Sequence, residues 1–165
     1  IGEQYFINEI ESVGLNFTNN YNDVDILLIT LDRNLNEQKI EIAAKCLQNN
    51  AKFFAANIDN TCPVEDCEIW DAGLTISQLE KITNRALEIN FGKPSEFMMN
   101  EILSKLNLPK NKILLIGDRL ETDILMGNNF NIDTALVSSG VKNNEIKFPN
   151  IQPIYRLNSV YDLVR

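Results

Sequence analysis

Residues 112–124 read KILLIGDRLETDI, and the fold turns on how that stretch is placed. Lys112 leads into the apolar residues Ile113, Leu114, Leu115 and Ile116, a run short enough to be a buried strand over 112–116. A glycine and a carboxylate, Gly117 and Asp118, follow at once. In doubly wound sheets, ligands sit outside the carboxyl ends of the strands, which is where this reading puts Asp118. Gly117 lets backbone approach a ligand closely. Asp123 falls near the start of a short helix expected over 120–130, where its charge suits the helix dipole. Gly127, one turn further on, allows that helix to pack tightly on the sheet. Two carboxylates held in this way suit Mg²⁺, a hard cation that prefers oxygen and keeps several waters. The same residues also suit a plainer reading, with Asp118 capping a helix and Asp123 in a solvated first turn.

Outward from this stretch, strand and helix signals alternate. Upstream, Phe91-Gly92-Lys93-Pro94 breaks the chain, and Ser95 caps a helix running through Leu106. Its apolar residues are Phe97, Met98, Ile102, Leu103 and Leu106. Lys93 lies between Gly92 and the φ-locked Pro94, so its backbone is fixed. An ammonium there suits neutralisation of a transferring phosphoryl group, although a surface lysine beside a turn has the same local sequence. Downstream come a strand over 134–138 (TALVS), a weak one over 152–157 and a terminal helix over 159–164.

In the first half, residues 24–30 (VDILLIT) and 51–56 (AKFFAA) read as strands. The helix between them carries Ile40, Ala43, Ala44 and Leu47 at helical spacing, is capped by Asn34 or Asn36, and ends at Asn49-Asn50. Strand, helix, strand at this spacing implies a right-handed crossover and a parallel pair. A short helix ends at Gly14, and another is expected over 75–89 with Ser77 as cap. Residues 57–72 are polar, contain Pro63, and read as a functional loop. The fold class is α/β.

Composition narrows the chemistry. The 165 residues contain no histidine, which excludes Ser-His-Asp, Cys-His and His-zinc sites within them. Net charge is −8, with 15 basic against 23 acidic residues and no basic cluster, so no nucleic-acid partner is expected. A small phosphate monoester stays compatible, because one metal ion inverts the local field. Apolar runs fall well short of the roughly 20 residues a membrane span needs, and no signal-peptide pattern opens the sequence. The three cysteines, Cys46, Cys62 and Cys67, are expected to be free thiols in a reducing cytoplasm. A dinucleotide-binding domain is set aside, since no G-x-G-x-x-G follows a strand.

The combined order GKPS (92–95), helix, KILLIGDRLETDI, helix, TALVSSG (134–140) resembles the haloacid dehalogenase (HAD) superfamily. Within it, the order matches the NagD-like, p-nitrophenylphosphatase-like branch (subfamily IIA). Its third motif, Gly-Lys-Pro at a helix start, is matched by Gly92-Lys93-Pro94, and its fourth by Gly117 through Ile124. Gly127, Ile132, residues 134–137 and Gly140 follow the pattern beyond it. FAANID (54–59) is similar to the branch's strand ending in Thr-Asn-x-Asp, with Ala56 in place of Thr. Ala72-Gly73 resembles the end of the branch's Pro-Gly-x-Gly turn, with Asp71 where its first Gly stands.

The resemblance implies a C2-type α/β cap over residues 1–90 and the C-terminal half of a HAD-like Rossmannoid core over 91–165. It implies a Mg²⁺-dependent phosphomonoesterase acting on a small phosphorylated metabolite through an aspartyl-phosphate. Asp118 becomes a Mg²⁺ ligand. Asp123 becomes a second metal-site carboxylate, orienting a metal-bound water or pairing with Lys93. Lys93 binds phosphoryl oxygens, while Asn57, Asp59 and the 60–71 loop influence which leaving group is accepted. A homodimer formed through the cap is left open. The nucleophilic Asp-x-Asp is expected to be missing from these 165 residues. Their one pair of that form, Asp23-Val24-Asp25, precedes its strand instead of following one. The chain alone is therefore expected to be inactive. The alternative is a non-catalytic module that binds a phosphorylated ligand or a partner.

Overall fold

The structure is a computed structural model that describes residues 1–65, 67–143 and 146–163. It divides into two units, Ile1–Gly92 and Lys93–Arg165.

In the first unit, α1 (Gln4–Ser12) precedes β1 (Ile26–Ile29), α2 (Glu37–Gln48) and β2 (Lys52–Ala55). β1 and β2 pair in parallel, with Ile26 opposite Lys52 and Ile29 opposite Ala55. Of the two candidate caps for α2, Asn36 serves: its side chain accepts from the Lys39 amide at 3.0 Å, satisfying one of the helix's orphan donors. Three- and four-residue spacing puts Ile40, Ala43, Ala44 and Leu47 on one face, which packs with Leu27, Ile29, Phe53 and Ala55 to form this unit's core. Cys46 is buried there, and burial pushes its thiol pKa up. All three cysteines are free.

The structure corrects two expectations in this unit. Residues 57–72 are not all loop: β3 (Thr61–Pro63) and β4 (Glu68–Trp70) form an antiparallel hairpin, with Thr61 opposite Trp70 and Cys62 opposite Ile69. Strands of three residues are too short to show an alternating pattern, and Pro63 argues against a strand. Asp66 lies outside the described residues. The helix expected over 75–89 is α3 (Ala72–Thr83), capped by Asp71 rather than Ser77, with Asp71 Oδ1 accepting from the Ala72 amide at 2.6 Å. It stops because Asn84 turns left-handed at φ 54°, a conformation asparagine tolerates. The chain then returns as β5 (Ile89–Asn90), parallel to β2, so the sheet order is β1-β2-β5.

The second unit opens with a cis Lys93–Pro94 peptide and α4 (Glu96–Leu106). Ser95 caps α4, its Oγ accepting from the Met98 amide at 3.3 Å. β6 (Leu114–Gly117), β7 (Asp133–Val137) and β8 (Tyr155–Leu157) form a parallel sheet in the order β6-β7-β8, with Gly117 opposite Leu136. The helix expected over 120–130 begins as a wide π-type turn (Leu120–Ile124) and becomes regular only in α5 (Leu125–Phe130). The central strand β7 is buried from Thr134 to Val137. Met99, Met126 and Ile132 form one apolar cluster, and Leu120, Ile124 and Leu136 another. β6 is an edge strand among the described residues, and none of its residues is fully buried. The terminal helix expected over 159–164 is a 3-10 turn (Val160–Leu163), and Val164 lies outside the described residues. No helix among the described residues is long and apolar enough to cross a membrane.

Candidate active site

β6 delivers Gly117 and Asp118 to its carboxyl end, and the wide turn that follows brings Asp123 back over them. Asp123 Oδ2 accepts from the amides of Asp118 and Arg119 at 3.2 and 3.1 Å. Its other oxygen takes the Lys93 ammonium at 2.7 Å. Both carboxylate oxygens are thus engaged, and Asp123 is only 5% exposed. A β-carbon on Gly117 would overlap the Asp123 Cβ, Cγ and Oδ2, so this seat for a carboxylate exists only over a glycine. The lysine at the entrance of α4, the glycine ending β6 and the aspartate in the turn therefore assemble as one unit of charge and backbone.

Asp118 is half-buried and oriented differently. Its Oδ2 accepts from the Val141 amide at 3.0 Å, in the loop after β7. Gly140 in that loop passes so close that a β-carbon there would overlap the Asp118 carboxylate. Its Oδ1 accepts no hydrogen bond from the described residues. A magnesium ion commonly takes one or two protein carboxylates and completes its shell with waters and substrate phosphate. By that standard Asp118 fits as a single ligand, and Asp123, with both oxygens in use, fits as the brace beside it. No group of three or more Asp, Glu, Cys or His side chains suited to a metal stands among the described residues, so these residues supply a partial donor set.

Asn57 and Asp59 lie in the first unit, after β2. The Asn57 side-chain amide donates to Asp71 Oδ1 at 3.0 Å, tying it to the start of α3. The Asp59 carbonyl accepts from the Gly73 amide at 2.8 Å. A groove of about 970 Å³ in the same unit is lined by Arg33, Glu41, Ile69, Trp70, Gln78 and Ile82 among others, and includes neither Asn57 nor Asp59.

Two features escaped the sequence reading. Asn143 grips the backbone of the Asp118 loop by hydrogen bonds across 23 and 25 positions, and no local pattern announces that. Thr122 is 2% exposed, and its hydroxyl has no hydrogen-bond partner among the described residues. An orphaned buried hydroxyl costs stability, so Thr122→Val in a polypeptide of residues 1–165 is expected to leave stability unchanged or raise it by about 1 kcal/mol. Thermal unfolding reads this, and a fall of several degrees would mean that the hydroxyl is paired.

Residues 90–163 match the Hydrolase_like family model, described as HAD-hydrolase-like, and that span contains Lys93, Asp118 and Asp123. The chain is 30% identical to the p-nitrophenyl phosphatase from Archaeoglobus fulgidus, with a TM-score of 0.85 over 99% of this chain and 64% of that one. The chain belongs to the haloacid dehalogenase superfamily, in its NagD-like, p-nitrophenylphosphatase-like branch. Curated HAD relatives include phosphoglycolate phosphatase 2 of Arabidopsis thaliana, 33% identical over 86% of this chain and 49% of the relative. Sugar-phosphatase AraL of Bacillus subtilis is 28% identical over 100% of this chain and 60% of its own. The chain thus spans about half the length of the curated relatives it matches.

Proposed function

We propose that this HAD chain supplies the metal and lysine side of a Mg²⁺-dependent phosphomonoesterase for a small phosphorylated metabolite. The observation that carries this reading is the Lys93–Asp123 pair at 2.7 Å, seated on the same loop that presents Asp118. An anchored ammonium beside a half-exposed carboxylate suits a phosphoryl group, whose charge lies on oxygens that need fixed positive partners. Lys93 binds those oxygens, and Asp123 fixes where its ammonium points. Asp118 holds Mg²⁺, which when bound neutralises phosphoryl charge.

The reaction class is hydrolysis of a phosphate ester, in keeping with the phosphatase names of the relatives, and in this reading it runs through an aspartyl-phosphate. In this reading its attacking carboxylate lies outside these residues, since Asp23-Val24-Asp25, ahead of β1 at the amino end of the strand, does not suit that role. Residues 1–90 act as a C2-type cap in this reading, and 91–165 as half of the core. Asn57, Asp59 and the β3-β4 hairpin shape the choice of leaving group. Location in the cytoplasm and a homodimer through the cap complete the proposal.

The test is hydrolysis of p-nitrophenyl phosphate and a panel of sugar phosphates and phosphoglycolate. The full-length protein is expected to turn over with Mg²⁺, to stop with EDTA and to recover when Mg²⁺ is restored. A polypeptide of residues 1–165 is expected to be inactive. Turnover by that polypeptide, lost in Asp118→Ala, would put the nucleophile inside it. A full-length protein that hydrolyses nothing on the panel would leave a phosphoryl-binding module in place of an enzyme.

A further inference from the structure

The loop that carries Asp118 is held from one side by Asp123 and from the other by the segment after β7. That second clasp has three strands of contact. The Val141 amide donates to Asp118 Oδ2 at 3.0 Å. The Asn143 side-chain amide donates to the Asp118 carbonyl at 2.6 Å, and its Oδ1 accepts from the Leu120 amide at 2.9 Å. Asn143 therefore behaves as a detached peptide group, pairing with one carbonyl and one amide that flank Arg119. Its Nδ2 also lies 3.3 Å from the Val141 carbonyl, which keeps the asparagine aligned with its own loop.

We infer that Asn143 is a positioning residue for Asp118, fixing the backbone on both sides of Arg119 and so the direction of the Asp118 carboxylate. With Val141 engaging Oδ2, this clasp leaves Oδ1 as the oxygen available to a cation. The inference rests on the proposed Mg²⁺ role of Asp118 and extends it to a residue that does not touch the metal. Leu120 is 1% exposed, so without Asn143 its amide loses its acceptor in a dry place. The loop then relaxes, and the carboxylate is no longer pre-aimed. Residues that orient a metal ligand from behind typically contribute about 10- to 100-fold in metal affinity.

The experiment measures Mg²⁺ binding to the full-length protein by isothermal titration calorimetry, alongside thermal unfolding in EDTA and kcat as a function of Mg²⁺. Asn143→Ala is expected to weaken Mg²⁺ binding about tenfold or more, with most of kcat recovered at high Mg²⁺. A merely structural role would lower stability in EDTA without moving the Mg²⁺ dissociation constant, and that result would overturn the inference. Asn143→Ser carries the same readout if the alanine variant fails to fold. Asp118→Asn separates the metal role of Asp118 from the positioning role of Asn143. If it leaves Mg²⁺ binding unchanged, the metal role itself fails. If it abolishes binding while both Asn143 variants bind like wild type, only the role of Asn143 fails.

Discussion

Asp118→Asn in the full-length protein is expected to lower kcat/KM for a phosphate ester by about 10³-fold, with unfolding shifted by no more than a few degrees. The substitution separates shape from charge. Asparagine keeps an oxygen that accepts from the Val141 amide, so the contact at 3.0 Å survives with the loop in place. It lacks the negative charge that a hard divalent cation requires from its ligand. Lys93→Met is the companion case: the methylene stem stays and the ammonium goes. The fall expected there is about 10²- to 10³-fold, comparable to deleting one preorganised charge-stabilising donor. Lys93→Arg is expected not to restore the rate, because the planar guanidinium does not reproduce a compact ammonium placed 2.7 Å from Asp123. Steady-state kinetics at saturating Mg²⁺ checks all three variants. A near-normal rate in Asp118→Asn or Lys93→Met would remove that residue from the mechanism.

Most of the sequence signal came from apolar runs long enough to have a period. The parallel β1–β2 pair, α2 on its Asn36 cap and α4 on its Ser95 cap were readable because caps and three- and four-residue spacing are local chemistry. The β3-β4 hairpin was not, since three-residue strands carry too few positions to alternate. The early stop of α3 was missed for a different reason. Residues 84–89 have ordinary helix formers, and the left-handed turn at Asn84 prevails because Ile89 and Asn90 pair with β2. At the candidate site the residue types and the strand-end position of Asp118 were legible. How the two carboxylates divide their hydrogen bonds was not. That division depends on Gly117 and Gly140 admitting carboxylates over bare backbone, and on Asn143 reaching back from a distant loop.

Asp123→Ala is expected to destabilise the full-length protein by about 3 kcal/mol, the largest stability effect of any single change at this site. The amides of Asp118 and Arg119 both lose their acceptor, at about 1–3 kcal/mol for each such group left dry. The lost ion pair adds less, because the Lys93 side chain is 38% exposed and water screens it. Asp123→Asn keeps an oxygen for the two amides but loses the charge and the oxygen that accepts from the half-exposed Lys93 ammonium, so it is expected to cost about 1 kcal/mol. Gly117→Ala attacks the same contact from the other side, since its new methyl occupies the space of the Asp123 carboxylate. If the seat is one cooperative unit, Gly117→Ala approaches the cost of Asp123→Ala, and the double variant costs clearly less than the sum of the two. Urea unfolding of the four proteins measures the coupling. Strict additivity would mean that the carboxylate and the glycine stabilise the fold separately, and that Asp123 is not held over Gly117 in the way the geometry requires.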